Sequence, residues 1–207
     1  MFKGTVTFKA RIKGNGLTFP LVEFDPNEPG VDKVEIEGPK GHEIHMTVFL
    51  GSVTSQEEGK ALATRINTAA LNRISFYHGI AIENARITGD QFFLLKPHPG
   101  VLEVASAGHL TFTSEVKLVV GIGPAQLKTE LEQTSPPGEN NFGLFRSARQ
   151  SLSPVEEFMH LYNILLTLYN DKQADADSFI ISEDPAVPQT QAPLRQGMIC
   201  LLYTSDA

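Results

Sequence analysis

Cysteine is almost absent: Cys200 is the only one in 207 residues. Disulfides, thiolate zinc sites and a cysteine nucleophile are therefore excluded together from everything before it. Tryptophan is missing altogether. No apolar run approaches the roughly 18 residues that cross a bilayer. The start, Met1-Phe2-Lys3-Gly4-Thr5, spaces its charges through an alternating pattern and has no apolar signal-peptide core. A soluble cytoplasmic protein is the expectation, with no membrane partner. Positive charge is also scarce, with 17 Lys and Arg against 24 Asp and Glu for a net charge of −7. A general nucleic-acid binder needs clustered positive charge to displace counterions from phosphates, so nucleic acid is not an expected partner.

What remains is an ordinary globular composition, 41% hydrophobic and 20% charged, which excludes disorder across the whole chain. The length allows one domain or two small ones. Charge divides unevenly. Residues 1–130 carry 13 basic and 14 acidic side chains, whereas residues 131–207 carry 4 and 10. The two parts read as different units.

The first half reads as strands. Thr5–Ile12 alternates with period two, and Leu17–Phe24 follows the turn signal Gly14-Asn15-Gly16. The pair predicts a hairpin over 5–24. Val34–Glu37 and His42–Leu50 are further strands around Gly38-Pro39-Lys40-Gly41. Then the period changes. Ser55-Gln56-Glu57-Glu58 is a capping box. Leu62, Ile66, Ala69, Ala70 and Ile74 follow at helical spacing, predicting a helix over 56–76 packed on the sheet. Strands are expected again at Ile80–Ile87, Gln91–Leu95, Leu102–Ala105 and Leu110–Val120, with Gly89-Asp90 as a hairpin turn. A short helix is expected over Pro124–Gln133. Ser135-Pro136-Pro137-Gly138-Glu139-Asn140-Asn141 is the strongest boundary signal in the chain.

Beyond that boundary the pattern is helical. Phe142–Gln150 reads as one helix. Ser153-Pro154-Val155-Glu156 is a second capping box, with proline where its missing N–H costs nothing. Phe158, Leu161, Tyr162, Leu165, Leu168 and Tyr169 follow at spacings of three and four and form a candidate interaction face on a helix over 154–169. Phe142–Gln150 is too short to cover that face. Residues 171–184 read as an acidic linker with a small apolar anchor, Phe179-Ile180-Ile181, and 185–195 as a loop.

The chemistry-bearing residues do not combine into a motif. His42 and His45 stand three apart in a strand, which points them to opposite faces and denies them a shared metal. Gly121-Ile122-Gly123-Pro124 lacks the lysine, the hydroxyl and the third glycine of phosphate loops, and Pro124 removes an amide. Asp171, Asp175, Asp177, Glu183 and Asp184 fail the calcium-loop spacing. His78 and His98 sit in turns with no serine or carboxylate tied to them locally. Arg146 and Arg149 read as a solvated face or as partners of Glu156 and Glu157. The 13 phenylalanines read as core; Phe92-Phe93 has only Lys96 near it, too little for a nucleic-acid stacking platform. No catalytic residue, no metal site and no cofactor is assigned.

Phe142-Gly143-Leu144-Phe145-Arg146-Ser147-Ala148-Arg149, with Ser153–Leu165 after it, resembles the opening of HEPN-like helical domains. The arrangement as a whole is similar to the methylamine utilization protein MauJ family, over about residues 140–195. The resemblance implies a β-rich part followed by a helical part, and supplies no activity. Many HEPN domains are ribonucleases with an Arg and a His on a later helix, which would fall beyond residue 198. The final residues, Cys200–Ala207, resemble read-through of a transposase sequencing adapter, which implies a metagenomic fragment without its natural C-terminus.

The expected architecture is α+β. An antiparallel, β-rich domain with one long packed helix spans 1–134. A linker at 135–141 leads to a truncated helical, HEPN-like domain at 142–199, and 200–207 is a non-native tail. The expected function is that of a binding or accessory protein, MauJ-like, rather than an enzyme. The alternative is a HEPN-type ribonuclease whose catalytic helix is missing. The expected partners of the open face are missing downstream helices or a second copy of the chain.

Overall fold

The computed structural model describes residues 1–95, 119–133 and 138–184. Its contacts divide the chain into two compact units, Met1–Ile164 and Leu165–Ala207. The strands expected at Leu102–Ala105 and at the start of Leu110–Val120 lie outside the described residues, as do the His98 turn, the 185–195 loop and the tail.

The first unit is an α+β fold. Four long strands come first: β1 (Phe2–Lys13), β2 (Gly16–Phe24), β3 (Val31–Gly38) and β4 (Glu43–Val53). Helix α1 (Gln56–His78), the short β5 (Ala81–Ile82), β6 (Arg86–Leu94) and β7 (Val119–Gly121) follow. Helices α2 (Pro124–Glu132) and α3 (Gly138–Gln150) come after, then α4 (Pro154–Leu168), whose last four residues count with the second unit. The sheet order is β5-β1-β4-β3-β2-β7, with β6 also pairing β1. All pairs are antiparallel except β2 with β7.

The hairpin expected over 5–24 does not form. β1 pairs β4 and β2 pairs β3, so the Gly14-Asn15 corner joins two strands that lie on either side of the β3–β4 hairpin. The sheet must curl to bring them together. The amides of Ile12 and Leu17 donate to the carbonyls of His42 and Gly41, both at the tip of that hairpin. Glycine is required at this crossing: a Cβ on Gly16 would lie 2.7 Å from the Gly41 carbonyl oxygen, and one on Gly38 2.7 Å from the Phe19 ring. Nor does Gly89-Asp90 turn. β6 runs through both residues, pairing them with Thr7 and Val6, and the register shift between Thr7 and Phe8 absorbs the irregularity. A long β1 supplies a template that outweighs the local turn signal.

Alternation along β1 and β4 puts Val6, Phe8, Ala10, Met46, Val48 and Leu50 on one face, where all are buried. Helix α1 covers this face with Ala63, Ile66, Ala70, Leu71 and Ile74. Its N-cap is as expected: Ser55 Oγ accepts from the Glu58 amide at 3.1 Å. The Glu58 carboxylate reaches past Ser55 and accepts from the Thr54 amide at 2.9 Å. Gly79 closes the helix in the left-handed region at φ 63°.

The segment expected to be a linker behaves otherwise. Gly138–Asn141 is the first turn of α3, and α3 packs on α1 within the first unit rather than opening a second module. Phe142 is buried, with its ring 4.8 Å from Phe76 and 5.9 Å from Tyr77. In the second unit the acidic stretch is also helical. α5 (Gln173–Glu183) buries Ala176 and sets Phe179 5.8 Å from Tyr169. Its N-cap residue is Lys172, which makes no side-chain cap, so the sequence carries no start signal there.

Candidate functional site

The strongest sequence-level candidate is the apolar face of α4. Its start forms as expected, with Pro154 in the first turn and the Glu157 amide donating to the Ser153 carbonyl at 2.9 Å. No residue of α4 is buried. Phe158 is 56% exposed and Leu168 55% exposed. Leu161, Tyr162, Leu165 and Tyr169 are half-buried. Phe158 and Tyr162 stack on each other at 5.7 Å, one helical turn apart. An amphipathic helix owes most of its stability to packing of its apolar side, and here that side is largely open.

The two arginines of α3 diverge. Arg149 pairs with Glu157 at 3.1 Å on the surface, one of the ordinary readings of its sequence context. Arg146 faces inward and is 4% exposed. Its Nε donates to the Ile82 carbonyl at 2.9 Å, and Nη2 to the Glu83 carbonyl at 2.7 Å. Nη1 and Nη2 also reach the side-chain oxygens of Asn72 and Asn84, each at 3.1 Å. Burial pushes its pKa down to about 10, which leaves it charged at neutral pH. No carboxylate among the described residues pairs with it. This guanidinium is a clamp between α3, α1 and the segment after β5. Its acceptors explain why the strand expected over Ile80–Ile87 stops at Ile82: the carbonyls of Ile82 and Glu83 turn to Arg146.

His78 is not a turn residue but the last residue of α1. Its Nε2 lies 2.8 Å from a Glu130 carboxylate oxygen, and Gln126 donates to the other at 2.9 Å. Sequence reasoning missed this pair because Glu130 is 52 residues away on α2. His78 borders a cavity of about 420 Å³ that Lys13 and Arg149 also line. Each of these cations has a carboxylate beside it: Glu83 at 3.5 Å from Lys13, and Glu157 at Arg149. The lining therefore has no net positive excess to hold an anion. No hydroxyl among the described residues hydrogen-bonds to the imidazole, so nothing assembles a nucleophile and its base.

On the sheet face away from α1, Lys9 is buried and bonds Glu43 at 2.8 Å. His45 stands across from both Lys9 and Glu37 in register. Its ring nitrogens lie 3.5 Å from Glu37 and 3.6 Å from Glu43. Among the described residues no cluster of three His, Cys, Asp or Glu side chains could hold a metal ion. Burial pushes the Glu43 carboxyl up, but the Lys9 bond and charge, followed by those of His45, outweigh it and hold the group below the usual carboxylate range. A carboxylate lowered on folding contributes stability above its unfolded pKa and loses it as pH falls through the folded value. Urea melts between pH 5 and pH 3 should therefore show stability falling, and Glu43→Gln should flatten that slope. An unchanged slope would contradict the assignment.

The glycine loop before α2 is a strand-to-helix connection. Ile122 is buried, its amide donates to the Thr18 carbonyl at 2.9 Å, and Pro124 begins the helix. Of the acidic series, Asp175, Asp177 and Glu183 lie on α5, with Asp171 before it and Asp184 at its cap. Phe92 packs against the core, while Phe93 stays exposed.

A larger cavity, about 840 Å³, lies between α1, α3, the end of α2 and the loop after β2. It is assembled from four separate stretches of chain, which is why no local sequence signal announced it. No helix among the described residues is long and apolar enough to cross a membrane. No family model, curated protein or solved structure matches the chain.

Proposed function

We propose that this chain is a binding or accessory protein, MauJ-like, that works in the cytoplasm and docks a partner through α4. The observation that carries this reading is the open apolar face of that helix. Leaving large apolar side chains in water forfeits roughly 1.5–3 kcal/mol each; Phe158 and Leu168 are exposed, and with the half-buried Leu161, Tyr162, Leu165 and Tyr169 they form a stripe suited to another helix. Among the described residues the titratable groups are dispersed, which supports binding over catalysis, because there base, nucleophile and oxyanion donors are not gathered in one place.

The occupant is taken to be a second copy of the chain, through a self-complementary two-fold contact. Light scattering should show the 22.6 kDa monomer giving way to dimer over roughly 1–100 μM. The double variant Phe158→Glu, Leu168→Glu should stay monomeric, since both positions are exposed and tolerate charge without unfolding. A wild-type monomer throughout that range would overturn the docking reading. RNA incubated with a recombinant full-length homologue should survive as in buffer; cleavage would favour the HEPN-type nuclease instead.

A further inference from the structure

The 840 Å³ cavity lies wholly in the first unit, and no described residue of α4 lines it. Its size falls within the range of pockets that hold small organic ligands, roughly 300–1,000 Å³. The floor is apolar: Phe24, Ile66, Ala70 and Leu131 are buried side chains that border it. Ala69 on α1 and Gly143 on α3 add little bulk to the lining. Its ionic side chains are spent within the chain. Arg65 is neutralised by Glu28, whose two oxygens take Nη1 and Nη2 at 2.9 Å each. Arg73 donates to the Leu131 carbonyl. Neither cation is left over to select an anion.

One lining group is both fixed and unused. The Asn72 side chain, half-buried on α1, accepts from Arg146 Nη1 at 3.1 Å through Oδ1. A guanidinium only donates, so the atom that meets it is the oxygen, and the amide has one orientation. Nδ2 is thereby turned toward Gly143, where a Cβ would lie 3.4 Å from it. Glycine at that position leaves the amide uncovered. Among the described residues nothing accepts from Nδ2. A fixed N–H donor beside an apolar floor recognises an acceptor oxygen, while burial of the attached body gives affinity.

We propose that this cavity binds a neutral organic molecule with an apolar body and a carbonyl group. The body lies over Phe24, Ile66, Ala70 and Leu131, and the carbonyl oxygen accepts from Asn72 Nδ2. The amide distinguishes a carbonyl from a methylene in the same place.

Isothermal titration of the whole chain with butyrophenone and with butylbenzene, which share a skeleton and differ by the carbonyl, tests this. Wild type should bind butyrophenone saturably, at one site. Asn72→Asp keeps an oxygen for Arg146 and removes the N–H donors; it should weaken butyrophenone about three- to tenfold and leave butylbenzene within about twofold. Gly143→Ala replaces glycine inside a helix, where alanine is favoured, and its methyl covers the amide, so butyrophenone should weaken by a similar factor. If circular dichroism shows Asn72→Asp unfolded, Gly143→Ala decides. The Phe158→Glu, Leu168→Glu protein should bind butyrophenone like wild type, which separates this site from the α4 face. No saturable binding of butyrophenone, equal losses for both ligands in Asn72→Asp, unchanged affinity in the two cavity variants, or loss of binding in the α4 variant would overturn the proposal.

Discussion

Replacing Arg146 by alanine should cost about 3–5 kcal/mol of stability. The side chain is almost wholly enclosed, and its four hydrogen bonds run to two separate segments, Asn72 on α1 and Ile82–Asn84. Removing it strands the Glu83 carbonyl and two asparagine side chains, and leaves a void along α3. The Ile82 carbonyl keeps a second donor, Gln150 Nε2, so the loss is not complete there. Arg146→Lys should recover little, because a point-like ammonium cannot span acceptors laid out for a planar fork. Arg146→Met should lose less than alanine, since it refills volume and no longer buries a charge. Urea denaturation of the three variants measures this order. A loss below about 1 kcal/mol for alanine would mean that the clamp is incidental.

Phe142→Ala should cost a similar amount, about 3–5 kcal/mol, by emptying a fully packed aromatic site. Phe142 lies one turn before Arg146 on the inner face of α3, and its ring meets Phe76 and Tyr77 of α1. The two side chains therefore hold the same helix to the same body. Once either is gone, α3 is loosened and the other has less to hold. The double variant should fall short of the sum of the single losses by more than about 0.5 kcal/mol. Strict additivity would mean that the two act through separate structure.

These two residues show where the sequence was legible and where it was not. Helix α1 could be read because its cap and stripe agree within one segment, although it runs two residues past the expected end, to His78. The same holds for α4, whose start and apolar face follow from Ser153-Pro154 and the spacing after it. Strand alternation identified β1, β2 and β4, but period two does not name a partner. The two-residue corner at Gly14-Asn15 looked like a hairpin, and only the curl of the sheet around the β3–β4 tip shows that it is not. Arg146 looked solvated because an arginine on an amphipathic helix usually is. What buries it is a set of neutral acceptors at Asn72 and Ile82–Asn84, more than 60 residues away. The His78–Glu130 pair and the large cavity were hidden for the same reason: each is made by elements that meet only after folding.

Arg146 also bears on the function. In sequence it reads as part of a solvated face or as a partner of Glu156 or Glu157. In the structure its hydrogen bonds go to the chain itself. Its work in this structure is thus to hold α3 on α1 and on Ile82–Asn84.

Hydrogen–deuterium exchange across α4, at about 1 μM and again at about 100 μM protein, addresses the docking face most directly. Amides of residues 155–168 should exchange markedly more slowly at the higher concentration, while those of α1 and β4 stay the same. Identical exchange in α4 at both concentrations, with the chain shown to be folded, would contradict the claim that this face receives a partner.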